Sequence, residues 1–225
     1  MSAYRVALSL VFVLPIPCLS QQVGLRFNNS TQVLLDVLKD ANVSGSVVFS
    51  GGCRFQDRNG PIPHVGMRRD FGSVRETLQH MLAVNSKIRV TQDSDGMVRI
   101  AETDVPTDIL EVKIHHLSFS ASTTLPSDGS PGALHMHGPF VALMAILATP
   151  EVTAFEEAHH IDFDNTSRVP GDLFSPANSP EVSGELNDVT LSQALDYVLK
   201  TFPGYWVYED ASCEDGSRAV RFKFY

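Results

Sequence analysis

The sequence predicts an α+β fold made of two similar modules, each with two helices packed on small mixed β-sheets. Three observations predict it. A capped amphipathic helix occurs twice, 117 residues apart. Each copy is followed by two short strands around an Asp-Gly turn. The composition is that of a globular chain: 225 residues, 43% hydrophobic and 19% charged. That excludes collagen, coiled coil and wholesale disorder, and it suffices to bury a core.

Residues 1–20 read as a secretory signal peptide. Arg5 supplies the positive end, and Val6 to Ile16 form an apolar run of 11 residues. A helix crossing a ~30 Å hydrocarbon core needs about 20 residues, so this run is too short to span. Ser20 and Cys18 stand at the −1 and −3 positions of a cleavage site before Gln21. Cys18 also raises lipidation, but Pro15 and Pro17 are poor neighbours for a lipobox. The expected location is periplasmic or secreted, without stable membrane insertion of the mature chain. Losing Arg5 takes the net charge from −9 to −10. Such an acidic balance argues against nucleic acid and against anionic membrane surfaces.

The first module is expected over residues 21–119. Ser30 or Thr31 caps a helix carrying Val33, Leu34, Val37 and Leu38. Ser46-Val47-Val48-Phe49 follows as a strand. Ser73 to Glu76 is a capping box, in which the hydroxyl accepts a backbone N–H and Glu reaches back. Val74, Leu78, Met81 and Leu82 then recur at helical spacing. Ile88 and Val90 alternate in the next strand. Asp95-Gly96 makes a hairpin turn, because Gly accepts positive φ, and Val98-Arg99-Ile100 returns. Leu110, Val112 and Ile114 alternate in one further strand. Residues 120–137, rich in Ser, Thr, Pro and Gly, read as a linker.

The second module is expected over residues 138–225. Phe140 to Leu147 is apolar all round, a buried helix ending near Pro150. His160 to Asp164 alternates as a strand, with Ile161 and Phe163 on one face. Val182 to Leu186 is a short strand leading to the Thr190 cap. Leu191, Leu195, Val198 and Leu199 repeat the earlier stripe at the same offset. Tyr205 and Val207 repeat Ile88 and Val90, Asp215-Gly216 repeats the turn, and Val220-Arg221-Phe222 returns. The second turn reads as three residues longer.

The helix Ser192-Gln193-Ala194-Leu195-Asp196-Tyr197-Val198-Leu199 and its Asp-Gly hairpin resemble the short N-terminal domain of secretins and TonB-dependent transporters. The stretch from Val74 to Leu82, with Asp95 to Ile100, resembles a weaker copy. The resemblance covers residues 70–105 and 180–225 and is carried by generic amphipathic signals. It implies periplasmic modules that bind protein partners rather than catalyse, with no cofactor. Here it implies an envelope protein partner. No secretin ring domain or transporter barrel follows the second module in these 225 residues.

Candidate chemistry is sparse. His115-His116, His135-Met136-His137 and His159-His160 are close pairs. An alternative reading is therefore a periplasmic metal-binding protein using His135, His137, His159 and His160. On a strand, His160, Asp162 and Asp164 would share one face. The bland account of that alternation puts Ile161 and Phe163 in the core and leaves the polar groups in water. No CxxC, HExxH, G-x-S-x-G or phosphate-loop pattern occurs, and adjacent Glu156 and Glu157 on a helix would diverge. The chain is not expected to be an enzyme. Cys53 and Cys213 could form a disulfide closing about 160 residues, or remain separate thiols.

The aromatic run offers interaction candidates. With Tyr205 and Val207 inward, Trp206 and Tyr208 would face outward as partner-binding anchors. The terminal strand Val220 to Tyr225 could serve as a sheet edge for an added strand. Sequons at Asn28, Asn29, Asn42 and Asn165 matter only in a eukaryotic secretory pathway, against which the bacterial resemblance argues.

Overall fold

The computed structural model describes residues 36–51, 72–83, 86–119, 138–163, 180–213 and 216–225. Its order is helical segment α1 (36–40), β1 (Gly45–Ser50), α2 (Val74–Leu82), β2 (Ile88–Gln92), β3 (Val98–Glu102), a 3-10 turn (Asp108–Glu111) and β4 (Lys113–Phe119). Then come α3 (Pro139–Leu147), α4 (Pro150–His159), β5 (Ile161–Phe163), β6 (Gly184–Thr190), α5 (Leu191–Val198), β7 (Tyr205–Ser212) and β8 (Arg218–Phe224). The fold is α+β with mixed sheets. Residues 1–35 with the expected leader and the Ser30 or Thr31 cap, residues 120–137 with His135 and His137, and Cys53, Asp164 and Asp215 lie outside the described residues.

Local sequence explains both capped helices. Ser73 Oγ accepts from Glu76 N at 3.2 Å. In α5 the box is complete: Gln193 N donates to Thr190 Oγ1 and Thr190 N to Gln193 Oε1. Leu78, Met81 and Leu82 of α2 are buried, as are Leu191, Leu195, Val198 and Leu199 at the end of α5. Each such side chain contributes about 1.5–3 kcal/mol on leaving water.

Six strands form one sheet in the order β2-β3-β1-β7-β8-β5, and β4 pairs with β6 in a second, two-stranded sheet. β2 and β3 are an antiparallel hairpin with β1 parallel to β3. β7 and β8 are an antiparallel hairpin with β5 parallel to β8. A parallel seam joins β1 to β7, from Gly45 opposite Tyr205 to Ser50 opposite Asp210. The sheet thus runs unbroken from residues of 21–119 into residues of 138–225. At the seam's start, β1 lies so close to β3 that a Cβ on Gly45 would collide with the Val98 carbonyl.

Both hairpins close with the same two backbone bonds. Asp93 N donates to Met97 O and Gly96 N to Asp93 O. Cys213 N donates to Ser217 O and Gly216 N to Cys213 O. Both glycines sit at φ 83°. The three extra residues expected in the second turn therefore lie in the strand instead: β7 has eight residues against five in β2.

The sheet buries both faces. Val47, Phe49, Tyr205 and Val207 join one cluster with Val37, Leu38, Leu78 and Met81. Val48, Trp206, Tyr208, Val220 and Phe222 join another, with Ile114, Ile146, Leu191 and Leu195. Successive strand residues point to opposite faces, so these clusters lie on opposite sides. α1 and α2 cover one side; α3 and α5 cover the other.

Three expectations change. The helix expected to end near Pro150 is two helices: α3 stops at Leu147, and Pro150 opens α4, meeting α3 at 66°. Proline suits a first helical turn, where its missing N–H would have no partner. The strand expected from Leu110 begins only at Lys113, after the 3-10 turn. And β8 lies between β7 and β5, so its start, Arg218–Val220, is not a free edge. No described helix is long and apolar enough to cross a membrane.

Candidate functional site

Among the described residues, β2 and β5 are the outer strands of the large sheet. β2 is bonded to β3 through the pairs Asp93–Met97 and Lys87–Thr103 at its two ends. Antiparallel pairs alternate between bonded and non-bonded. The intervening alternation turns the N–H and C=O groups of Ile88, Val90 and Gln92 outward. No proline or bulge protects them; Arg89, Thr91 and Gln92 are exposed. Such a row of unpaired backbone groups is a template for another strand.

Behind the edges, two charged networks lock the halves together. Ser46 of β1 lies opposite both Arg99 of β3 and Trp206 of β7. Asp196 of α5 descends onto that row. Its Oδ1 accepts from Arg99 Nη1 and from Trp206 Nε1, each at 2.7 Å, and its Oδ2 accepts from Arg99 Nη2 at 2.7 Å. Arg99 Nη2 also donates to Asp93 Oδ2 at 2.8 Å. Burial alone would lower the Arg99 pKa, but the bonds to Asp196 and Asp93 raise it above its ordinary value. This is a planar, two-pronged contact of the kind arginine forms best.

The second network centres on Asp210, whose side chain is 1% exposed. Tyr208 Oη donates to Asp210 Oδ2 at 2.5 Å and lies 2.9 Å from Pro106 O. Arg218 Nε donates to Asp210 Oδ2 at 2.8 Å, and its two terminal nitrogens donate to Asp108 at 3.0 and 2.7 Å. Burial, reinforced by Asp210, pushes the Tyr208 phenol far above its ordinary pKa. The hydrogen bond from Arg218 holds the Asp108 carboxyl below its ordinary value.

The expected partner anchors are not surface groups. Trp206 is 2% exposed and Tyr208 0%. The alternation argument supposed one wet face, whereas helices cover both. Trp206 is spent on Asp196 and Tyr208 on Asp210, which corrects their assignment as partner-binding residues.

The histidines divide. His115 Nδ1 sits 3.0 Å from Asp188 Oδ1 and His116 Nδ1 2.9 Å from Asn187 Oδ1, both histidines being exposed on β4. His159 stacks on Phe155 at 4.0 Å. His160 is the left-handed cap of α4, with φ 51°, and not a strand residue, so it does not share a strand face with Asp162. Among the described residues no three His, Cys, Asp or Glu side chains gather as a metal site. Glu156 and Glu157 lie on α4; burial and nearby Asp162 raise the Glu156 pKa. Cys213 is disulfide-bonded.

Asp196 stands within the sequence motif of α5, but nothing local in the sequence shows its role. Arg99 is 97 residues away, and only strand register brings the two together. No family model, curated protein or solved structure matches this chain.

Proposed function

We propose that the chain is an exported, non-catalytic protein-interaction module of a bacterial cell envelope, built from two similar α+β modules. The modules are β1-α2-β2-β3 and β5-α5-β7-β8. One observation carries the reading: each hairpin receives a parallel strand on its second member, giving the order β2-β3-β1 followed by β7-β8-β5. The matching Gly turns and the capped helix before each hairpin support it. The kinship suggested is with the short N-terminal domain of secretins and TonB-dependent transporters.

Export is supported by the leader pattern of Arg5 and Val6–Ile16, and by the disulfide at Cys213, since such bonds persist in oxidising compartments. The mode of interaction proposed is strand addition at an outer edge, with β2 the better-prepared one.

Expression with the native leader in a bacterial host tests the export claim. The expected product is found outside the cytoplasm and begins at Gln21 by intact mass and N-terminal sequencing. A cytoplasmic product that retains Met1 to Ser20 contradicts it.

A further inference from the structure

We propose that this chain associates with further copies of itself head to tail, β5 of one copy pairing in parallel with β2 of the next. The inference rests on the two-module reading and deepens it by naming the partner as a second copy.

The argument starts from the seam inside the chain. There, β1 pairs in parallel with β7 over six residues. β1 is the strand laid parallel to the second member of its own hairpin, and β7 is the first member of the other hairpin. The outer strands of the sheet are the same two kinds. β5 is laid parallel to β8, as β1 is to β3. β2 is the first member of its hairpin, as β7 is. Among the described residues the sheet thus ends on one side with the edge type that β1 offers β7, and on the other with the type that β7 offers β1.

Direction agrees. β2 is antiparallel to β3 and therefore to β1. β7 is parallel to β1, β8 antiparallel to β7, and β5 parallel to β8, so β5 too is antiparallel to β1. β2 and β5 run the same way. A copy shifted along the sheet, without rotation, sets its β2 beside the first copy's β5 in the parallel sense of the internal seam. The helices then alternate between faces, as they do within one chain.

The two edges differ, so the contact is heterologous. It leaves each added copy with a fresh edge, so a shift without rotation adds copies as an open series. The described part of β5 is Ile161–Phe163. On the β2 side the outward groups of Ile88, Val90 and Gln92 supply the bonds. A proline at such a position removes an outward N–H without touching the β2–β3 ladder.

The test is sedimentation velocity of the mature full-length chain across a concentration series. Wild type is expected to form a series reaching beyond the dimer. Gln92→Pro is expected to stay monomeric alone. Mixed with wild type, it is expected to cap growing assemblies through its intact β5 and shift them to smaller species. Ile88→Pro, at the first strand position, should behave alike; circular dichroism and melting confirm that each variant is folded. A folded wild type that is monomeric at every concentration, a series that stops at a symmetric dimer, or a folded variant that associates as wild type does overturns the head-to-tail pairing. None of these touches the two-module reading. That reading fails separately, if an experimental structure does not superpose β1-α2-β2-β3 on β5-α5-β7-β8.

Discussion

Replacing Asp210 with alanine is expected to lower the unfolding free energy by about 3–5 kcal/mol, the cost typical of removing one partner from a buried ion pair. Asp210 is almost wholly buried and takes bonds from both Tyr208 and Arg218. Its loss leaves the Arg218 guanidinium, itself only 16% exposed, without its buried carboxylate, bonded to the half-exposed Asp108 and to the Tyr208 hydroxyl. For a chain of this size the melting temperature should fall by roughly 10 °C. Asp210→Leu combined with Arg218→Met should cost less than Asp210→Ala alone, because it removes both buried charges and leaves only Asp108, 44% exposed and open to water, without its arginine. Thermal and urea unfolding measure both. A loss for Asp210→Ala of the size of a surface substitution, within about 0.5 kcal/mol, contradicts the assignment.

The same network sets an acid response. Arg218 holds the Asp108 carboxyl below its ordinary value of 3.8. A carboxyl lowered on folding stabilises the fold above its ordinary pKa and loses that contribution as pH falls through the lowered one. The gap in melting temperature between wild type and Asp108→Asn should therefore be full at neutral pH and close below pH 3.8.

Cys213→Ser is the second large effect. The six paired positions of β1 and β7 are all offset by 160 residues. Cys53 and Cys213 are separated by the same 160, and the bridge proposed for Cys213 is with Cys53. A closed loop of about 160 residues contributes ~4–5 kcal/mol in the chain-entropy model. Cys213→Ser, or reduction of the wild type, should lower the melting temperature by roughly 10 °C. Peptide mapping without reductant should yield one fragment joining the two segments. Insensitivity of the melting temperature to reductant, or a link from Cys213 to Cys18, contradicts the assignment.

Much of this architecture was legible because its signals are local. A hydroxyl followed three residues later by Glu or Gln marks a helix start at Ser73 and Thr190, and apolar spacing marks the buried stripe. Asp-Gly places both turns. What was not legible depended on distant neighbours. Pro150 reads equally as an end or as a beginning, and the burial of Val152, on α4 itself, goes with the second. Tyr205-Trp206-Val207-Tyr208 fits one wet face, but it is also the nearly unbroken apolar run of a strand covered on both sides. That alternative signal was present in the residues themselves. The clasp of Asp196 on Arg99 and Trp206 needed the register of three strands. The edge position of β2 needed the full strand order, which no local pattern encodes.

We propose that the chain is exported and works by lending a sheet edge to another protein. Photocrosslinking in the bacterial envelope tests it most directly. A photoreactive residue replaces exposed Thr91 on β2 in one strain and exposed Lys200, just after α5, in another. The account predicts a discrete adduct from position 91, with a copy of the chain or with an envelope protein, and none from position 200. Adducts from position 200 alone, or none from position 91 in the correctly exported protein, contradict it.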